Sequence, residues 1–327
     1  MTDLSIAHAA PPPAPFPWFG GKSKVAASIW ERLGPVSNYV EPFFGSGAVL
    51  LQRPQPFTGP ETINDADGFV ANAWRAIARD PEAAAAHADW PINEVDLHAR
   101  HAWLVAQRGD LTTRLMGDPD YFDAKIAGWW LWGICAWIGS GWCSGNGPWH
   151  SSDGRLVDTR LQAEGNAGQG INRKLPHLGD AGRGINRQLP HLGNAGRGAF
   201  IADWFTALSV RLRDVRVCCG DWKRVVTMGA LSHGNPIGIF LDPPYDIGAG
   251  TKALEAVESH LPMQPSALVV LQCSTREAVP QRCGRLTPVR DQRYGDTAVH
   301  LYRLDDAEKP TVRTDERPGG NHAQDRA

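Results

Sequence analysis

The chain has 327 residues, of which 42% are hydrophobic and 21% are charged. This balance excludes a wholly disordered chain and is enough for one large α/β domain with a smaller inserted region. The net charge of -2 shows no overall excess of basic residues, so a surface that binds nucleic-acid phosphates would have to be local.

Metal and membrane sites are not indicated by the sequence. The six cysteines form no C-x-x-C pair and have no Cys/His spacing typical of zinc, so we expect no metal and reduced thiols. The first fifteen residues lack a basic start followed by an apolar run, and no stretch reaches the roughly 20 apolar residues that span a bilayer. We expect a cytoplasmic, monomeric protein with no membrane partner.

The amino-terminal part of the chain reads as an arm followed by a helix. Four of residues 1–15 are prolines, which predicts a flexible arm. From Ser23 onward, Val25, Ile29 and Leu33 recur every four residues until Gly34-Pro35, which predicts an amphipathic helix.

Two strand–turn–helix units follow. The first has a strand at residues 38–41, a glycine turn at 42–47 and a helical start at 48–51, which is typical of the opening of a nucleotide-binding α/β fold. The second has a strand at 61–64 that ends at Asp65 and then an amphipathic helix. Residues 16–85 are therefore predicted to be the cofactor-binding part of a Rossmann-like α/β domain.

The middle of the chain, residues 86–213, loses this alternation and is predicted to be an inserted, mainly helical and loop region. Trp129, Trp130 and Trp132 are expected in its core, whereas residues 138–143 resemble a loop that inserts into DNA. Residues 165–198 contain a repeat of fourteen residues, which is either a basic strap along DNA phosphates or a repeat expansion without function. Residues 155–216 carry ten Arg or Lys against five Asp or Glu.

Strand patterns return in residues 214–304, the predicted catalytic part. One strand covers 215–219 and ends at Gly220-Asp221, and a buried strand covers 237–241. Further strands are predicted at 267–271 and 298–304, and the polar residues 305–327 are predicted to be a disordered tail.

The buried strand at 237–241 ends in Asp242-Pro243-Pro244-Tyr245. Proline removes backbone donors and restricts the turn, so the Asp242 carboxylate and the Pro243 carbonyl can accept the two N–H bonds of an aromatic amine. Tyr245 can stack on the ring of that amine. Holding both hydrogens directs the nitrogen lone pair toward an electrophile.

Three segments, in this order, carry a resemblance to a known family. They are Phe16-Pro17-Trp18-Phe19-Gly20-Gly21-Lys22, residues 39–47 and residues 242–245. Together they resemble the Dam-type (D12 class) DNA adenine N6-methyltransferases, most closely their phage-borne relatives. The resemblance implies a Rossmann-like sheet with S-adenosylmethionine as cofactor, double-stranded DNA as partner, a flipped adenine as the methylated base and a bacterial host cell.

The resemblance also implies roles for individual residues. It places the flipped adenine at Asp242, Pro243, Pro244 and Tyr245. It assigns S-adenosylmethionine to Trp18, Gly20, Gly21, Lys22, Glu41, Pro42, Phe43, Gly45, Ser46, Gly47, Asp65, Asp221 and Asp242, with Asp65 on the ribose and Asp221 facing the cofactor adenine. Because the family reads its target sequence between the cofactor motifs and Asp-Pro-Pro-Tyr, DNA phosphates are expected at Arg155, Arg160, Arg173, Lys174, Arg183, Arg187 and Arg197.

Lys22 lies beside a predicted helix amino terminus, where a cation is unfavourable by about 0.3–1 kcal/mol. A compensating anion is therefore expected, either the cofactor carboxylate or a DNA phosphate.

Three alternatives to the main prediction remain: a methyltransferase acting on RNA, one acting on a protein amide, and a DNA-binding relative that has lost turnover. Asp rather than Asn before Pro-Pro favours adenine over an amide, and the glycine turn lacks the G-x-G-x-x-G spacing of dinucleotide oxidoreductases.

Overall fold

A computed structural model of the protein describes residues 11–18, 20–137, 142–143, 149–152, 155–158, 197–246, 248–263 and 266–304. The predicted repeat up to residue 196, the tail 305–327 and residues 1–10 of the predicted arm lie outside these described residues.

The described helices are α1 (Ala26–Leu33), α2 (Ala48–Leu51), α3 (Gly68–Arg79), α4 (Pro81–Ala88), α5 (Glu94–Gly117), α6 (Ala124–Ala136), α7 (Arg197–Leu212), α8 (Met228–Leu231) and α9 (Ala249–His260). The described strands are β1 (Asn38–Glu41), β2 (Glu61–Asp65), β3 (Trp149–Ser152), β4 (Arg155–Asp158), β5 (Val215–Cys219), β6 (Ile237–Leu241), β7 (Ala267–Ser274), β8 (Leu286–Tyr294) and β9 (Thr297–Leu304).

Seven strands form one sheet in the order β5-β2-β1-β6-β7-β9-β8. The first five of these are mutually parallel, and β9 is antiparallel to both of its neighbours. This is a Rossmann-like α/β sheet, so the predicted fold class is confirmed.

Both faces of the sheet are covered, which explains why its strands read as apolar runs. Along β6, Phe240 packs into a hydrophobic cluster with α1 and α3, whereas Ile239 and Leu241 point to the other face and pack with α9. In β1, Tyr39 and Val40 divide between the two clusters in the same way. Helices thus lie on both sides of the sheet and leave the ends of the strands accessible.

The helices of the inserted region pack on the cofactor-binding part. α5, α6 and α7 contribute to the same hydrophobic cluster as α3. Trp130 and Trp132 are buried as predicted, and Trp129 is half-buried at the edge of this core. Trp142 is 7% exposed and its Nε1 donates to the Trp130 carbonyl at 3.1 Å, so the prediction of a DNA-inserting loop is wrong for this residue. Residues 138–141 of that loop lie outside the described part of the chain.

Several boundaries differ from the prediction. α1 begins at Ala26 rather than Ser23. The carboxyl-terminal end of the predicted arm is held against the protein, because the Pro13 carbonyl accepts from Trp204 Nε1 at 3.2 Å and Pro15 is buried. The region predicted to be helical and loop also contains the antiparallel pair β3–β4.

Two elements near the carboxyl terminus were not predicted. β8 lies at the edge of the sheet and buries only Leu286, so its residues do not alternate between apolar and polar. It also contains Pro288, which usually argues against a strand but is tolerated at a sheet edge. α9 buries only Gly250, Ala253, Leu254 and Val257, a set short enough to be missed between two strong strands.

Candidate active site

The main cleft of the protein lies at the carboxyl ends of β1 and β6. The chain leaves β1 toward β2 on one side, and leaves β6 toward β7 on the other, so the sheet order reverses between them. In open α/β sheets, ligands bind in the crevice at this reversal. The cleft has a volume of about 1220 Å³, somewhat above the roughly 300–1,000 Å³ of a small-molecule site. There is room for a cofactor and part of a second molecule.

Nearly all the residues predicted to bind the cofactor or the adenine line this one cleft. From the cofactor set these are Trp18, Gly20, Gly21, Lys22, Glu41, Pro42, Phe43, Gly45, Ser46, Asp65 and Asp221, together with Asp242, Pro243, Pro244 and Tyr245. Gly47 does not line it. A side chain on Gly47 would meet Phe44 and Trp74, so this glycine is needed for packing beneath the turn.

The glycine turn after β1 is held from three sides. Gly45 has a φ of +53°, its N–H donates to Asp65 Oδ2 at 2.8 Å, and its carbonyl accepts from Trp74 Nε1 at 2.9 Å. A Cβ at Gly45 would lie 2.6 Å from the Trp18 ring. Glycine is therefore required by both the backbone conformation and the close approach of the indole.

Asp65 has a structural task in addition to the predicted one. Its Oδ2 accepts from Gly45, and its Oδ1 accepts from the Asp67 N–H at 2.9 Å. Burial raises the pKa of Asp65 to about 6, and the backbone hydrogen bonds oppose this rise. One carboxylate thus links the ends of β1 and β2 while facing the cleft.

Lys22 pairs with the Asp-Pro-Pro-Tyr turn. Its Nζ lies 2.5 Å from Asp242 Oδ2 and also donates to the Gly20 carbonyl, and the residue is only 7% exposed. The protein itself therefore supplies a counter-anion, where a cofactor carboxylate or a DNA phosphate was expected. Asp242 Oδ1 has no protein partner among the described residues. Burial raises the pKa of Asp242 to about 6, and the Lys22 ammonium limits that rise.

Glu41, at the end of β1, is 2% exposed and accepts from the Tyr39 hydroxyl at 2.8 Å. Burial raises its pKa well above the usual value, the Tyr39 hydrogen bond lowers it, and the nearby Asp242 raises it further. Across the whole cleft, six carboxyl groups stand against three lysines, which gives a formal excess of three negative charges when all of these groups are ionised. A cationic ligand would relieve the repulsion among these carboxylates.

Tyr245 extends from the turn after β6 and is 37% exposed. Its hydroxyl accepts from Gln272 Nε2 at 3.4 Å, which anchors the far end of the ring. Pro244 is exposed beside it, and Lys22 Nζ lies 6.0 Å from the ring centroid. The ring is thus held at one end and remains partly exposed in the cleft.

Sequence reasoning missed two parts of the lining. The Trp222 ring lies 5.7 Å from the Phe43 ring, so two aromatic groups stand beside Asp221. One face of α9 contributes Lys252, Glu255, Ala256 and Ser259. The period of Ala253, Leu254 and Val257 on its opposite face was the available signal for this helix.

The predicted DNA-binding residues fall largely outside the described part of the chain, so their role stays a prediction. This holds for Arg160, Arg173, Lys174, Arg183 and Arg187, and only the backbone is described at Arg155 and Arg197.

Metal and membrane sites are not seen in the described part of the chain. Within it, no group of three or more His, Cys, Asp or Glu could hold a metal ion. No described helix has the length and apolar character needed to cross a bilayer.

Comparisons with known proteins place two family models on this fold. The model for D12 class N6 adenine-specific DNA methyltransferases matches residues 18–94, which contain the glycine turn and Asp65. The model called Conserved hypothetical protein 95 matches residues 218–303, which contain Asp242–Tyr245. No curated protein matches the chain significantly.

Solved structures give weak similarities. The yhhF protein of Escherichia coli, described as a putative methyltransferase, is 12% identical with a TM-score of 0.39, over 90% of this chain and 92% of its own. The rRNA methyltransferase aviRa of Streptomyces viridochromogenes is 15% identical with a TM-score of 0.34, over 91% and 89% of the two chains. A conserved hypothetical protein of Streptococcus pyogenes is 19% identical with a TM-score of 0.24, over 34% and 68%. By its sheet and its family matches, the chain is a Rossmann-like methyltransferase, and its residues 18–94 are similar to the D12 class N6 adenine-specific DNA methyltransferases.

Proposed function

We propose that this protein transfers a methyl group from S-adenosylmethionine to N6 of a flipped-out adenine in DNA. The observation that carries the proposal is the position of the Asp242–Tyr245 turn. It faces the same cleft as the Lys22 segment and the glycine turn, and it pairs directly with Lys22. The D12 match on residues 18–94 supports adenine as the base.

The cleft suits S-adenosylmethionine by charge and by shape. The cofactor carries a sulfonium and an ammonium, which fit the excess of carboxylates contributed by Glu41, Asp65 and Asp242. Phe43 and Trp222 offer aromatic faces to its adenine ring, next to Asp221. When bound, the cofactor supplies an electrophilic methyl group.

The residues at the end of β6 would hold and orient the amine. Asp242 Oδ1 and the Pro243 carbonyl can accept the two N6 hydrogens, while Lys22 keeps Asp242 Oδ2 occupied and favours its ionised form. Positioning of this kind can supply about 7–11 kcal/mol of a barrier through effective concentration, so no strong general base is required. The proton released from N6 passes to solvent.

Adenine in a duplex can reach Asp242 only after flipping, which costs a few kcal/mol. Stacking on the partly exposed ring of Tyr245, worth about 1–3 kcal/mol, offsets part of that cost. The remainder must come from contacts to the DNA backbone.

The test is to incubate purified protein with unmethylated genomic DNA and labelled S-adenosylmethionine, and then to map modified bases by single-molecule sequencing. N6-methyladenine in a defined sequence context is the expected result and also identifies the recognition site. Parallel reactions with total RNA and with protein extract test the alternative substrates. Cofactor binding without label in DNA would overturn the proposal, and label in RNA or protein would identify the substrate instead.

A further inference from the structure

A second cleft runs along β5, at the edge of the sheet, and has a volume of about 770 Å³. Five arginines line it, Arg75, Arg79, Arg213, Arg216 and Arg224, against a single carboxylate, Asp120. We call it the arginine cleft. Its lining residues carry a net charge of about +4, opposite in sign to the excess of negative charge in the main cleft.

Two of these arginines are fixed in place by the edge strand. Arg75 is 5% exposed and its Nε donates to the Val217 carbonyl at 3.0 Å, and Arg224 donates to the Cys219 carbonyl at 3.0 Å. Within the described part of the chain, both arginines donate to carbonyl oxygens rather than to carboxylates. Their donors are therefore satisfied while their charges are not neutralised by a paired carboxylate, which leaves a positive field in the cleft.

The remaining arginines are available to a ligand. Arg213 and Arg216 are exposed and have no carboxylate partner among the described residues. Arg79 pairs with Asp120 at 3.2 Å, but both side chains are more than half exposed, so this pair is weak. Exposed guanidinium groups of this kind bind phosphate with paired hydrogen bonds.

The arginine cleft adjoins the main cleft. Cys219 lines the first and Asp221, two residues later, lines the second, with Gly220 tied to β2 by a hydrogen bond to the Asp65 carbonyl at 3.0 Å. A polyanion approaching the negative main cleft is repelled there and needs cationic contacts close by. Among the described residues, the arginine cleft is such a surface.

We infer that the arginine cleft along β5 binds backbone phosphates of the DNA substrate, on the β5 side of the main cleft. This inference rests on the proposed function. It adds anchoring residues on the edge of the sheet that are separate from the fourteen-residue repeat.

The test is the salt dependence of duplex binding by the full chain, measured by fluorescence anisotropy over a series of KCl concentrations. Each phosphate contact contributes about 0.9 to the slope of log K against log salt, so the double variant Arg213→Gln/Arg216→Gln should lower the slope by roughly 2. Arg213→Lys/Arg216→Lys keeps the charges and should keep most of the slope. Thermal melts of all variants should coincide, because neither side chain has a folded-state ion pair among the described residues.

The matched control is Arg290→Gln/Arg293→Gln, which removes two exposed arginines from β8 on the opposite edge of the same sheet. A loss of slope in the β5 variant alone supports the inference. Equal slopes in the β5 variant and in the β8 control overturn it, while methylation by the wild type would still uphold the proposed function. If the wild type neither binds nor methylates DNA, the function and the inference both fail.

Discussion

Asp242 joins the two halves of the candidate active site, because it belongs to the turn after β6 and pairs with Lys22 from the amino-terminal segment. We expect Asp242→Ala to abolish methylation while leaving cofactor binding partly intact. The alanine also leaves the buried Lys22 ammonium without its carboxylate. We therefore expect Asp242→Asn to fold better, because the asparagine amide keeps an oxygen that can accept a hydrogen bond from Lys22. Isothermal titration with the cofactor, combined with a methylation assay, separates the two functions. Turnover by both variants would contradict the assigned role.

The raised pKa values of the cleft carboxylates predict a pH-dependent site. Asp65 and Asp242 each have a pKa of about 6 in the folded protein, above the value of about 4 in the unfolded chain. The ligand-free protein should therefore lose stability as the pH rises from about 4 through 6, because burial disfavours the ionised carboxylates. Cofactor binding has the opposite dependence, since a cation favours the ionised forms. Affinity should fall as pH drops below 6, by up to about tenfold per unit for each carboxylate that must ionise. Calorimetry in buffers of different ionisation enthalpy should show proton release on binding at pH 6, and no release would contradict this.

At the scale of elements, the glycine turn between β1 and α2 depends on Gly45. Gly45→Ala places a Cβ 2.6 Å from the Trp18 ring on a residue with φ of +53°, so we expect a loss of about 1–3 kcal/mol and weaker cofactor binding. The control is Gly109→Ala, an exposed position in α5 with no heavy atom within 4 Å of the new Cβ, where stability should rise by about 0.4–1 kcal/mol. Chemical denaturation measures both. Equal effects at the two positions would show that the turn is not constrained.

Elements also show where local sequence patterns mislead. Strands β6 and β9 were predicted because buried strands have strong apolar patterns, and β5 was predicted from the alternation of Val215, Val217 and Cys219. β8 was missed because this edge strand contains Pro288 and buries only Leu286. Trp142 was assigned to a DNA-contacting loop because glycines surround it, yet its ring packs on Gly133, where a Cβ would lie 1.9 Å from the indole. Because Gly133 has no side chain, α6 leaves space for the Trp142 ring. The residues next to Trp142 in the sequence do not reveal this contact.

At the scale of the whole molecule, charge is divided between regions rather than averaged. The main cleft is negative, the arginine cleft is positive, and residues 165–192 carry Arg173, Lys174, Arg183 and Arg187 against Asp180. The role of that repeat stays a prediction. Deleting residues 165–192 removes both complete copies and should weaken DNA binding and lower its salt slope, by about 0.9 for each phosphate that the repeat binds. An unchanged slope in anisotropy titrations would favour a repeat expansion without a role in DNA binding.

The sequence by itself determined the fold class and the two turns that carry the proposed chemistry. Apolar strands, the glycine turn at residues 42–47 and Asp242-Pro243-Pro244-Tyr245 are local features, since each depends on backbone conformation and burial within a few residues. Only the tertiary structure brought Lys22 onto Asp242, gave Asp65 its second task in the turn, and placed α9 and Trp222 in the cleft. It alone assembled the arginine cleft from α3, α7 and β5. All of these arrangements depend on strand order and helix packing, because they bring together residues that are far apart in the chain.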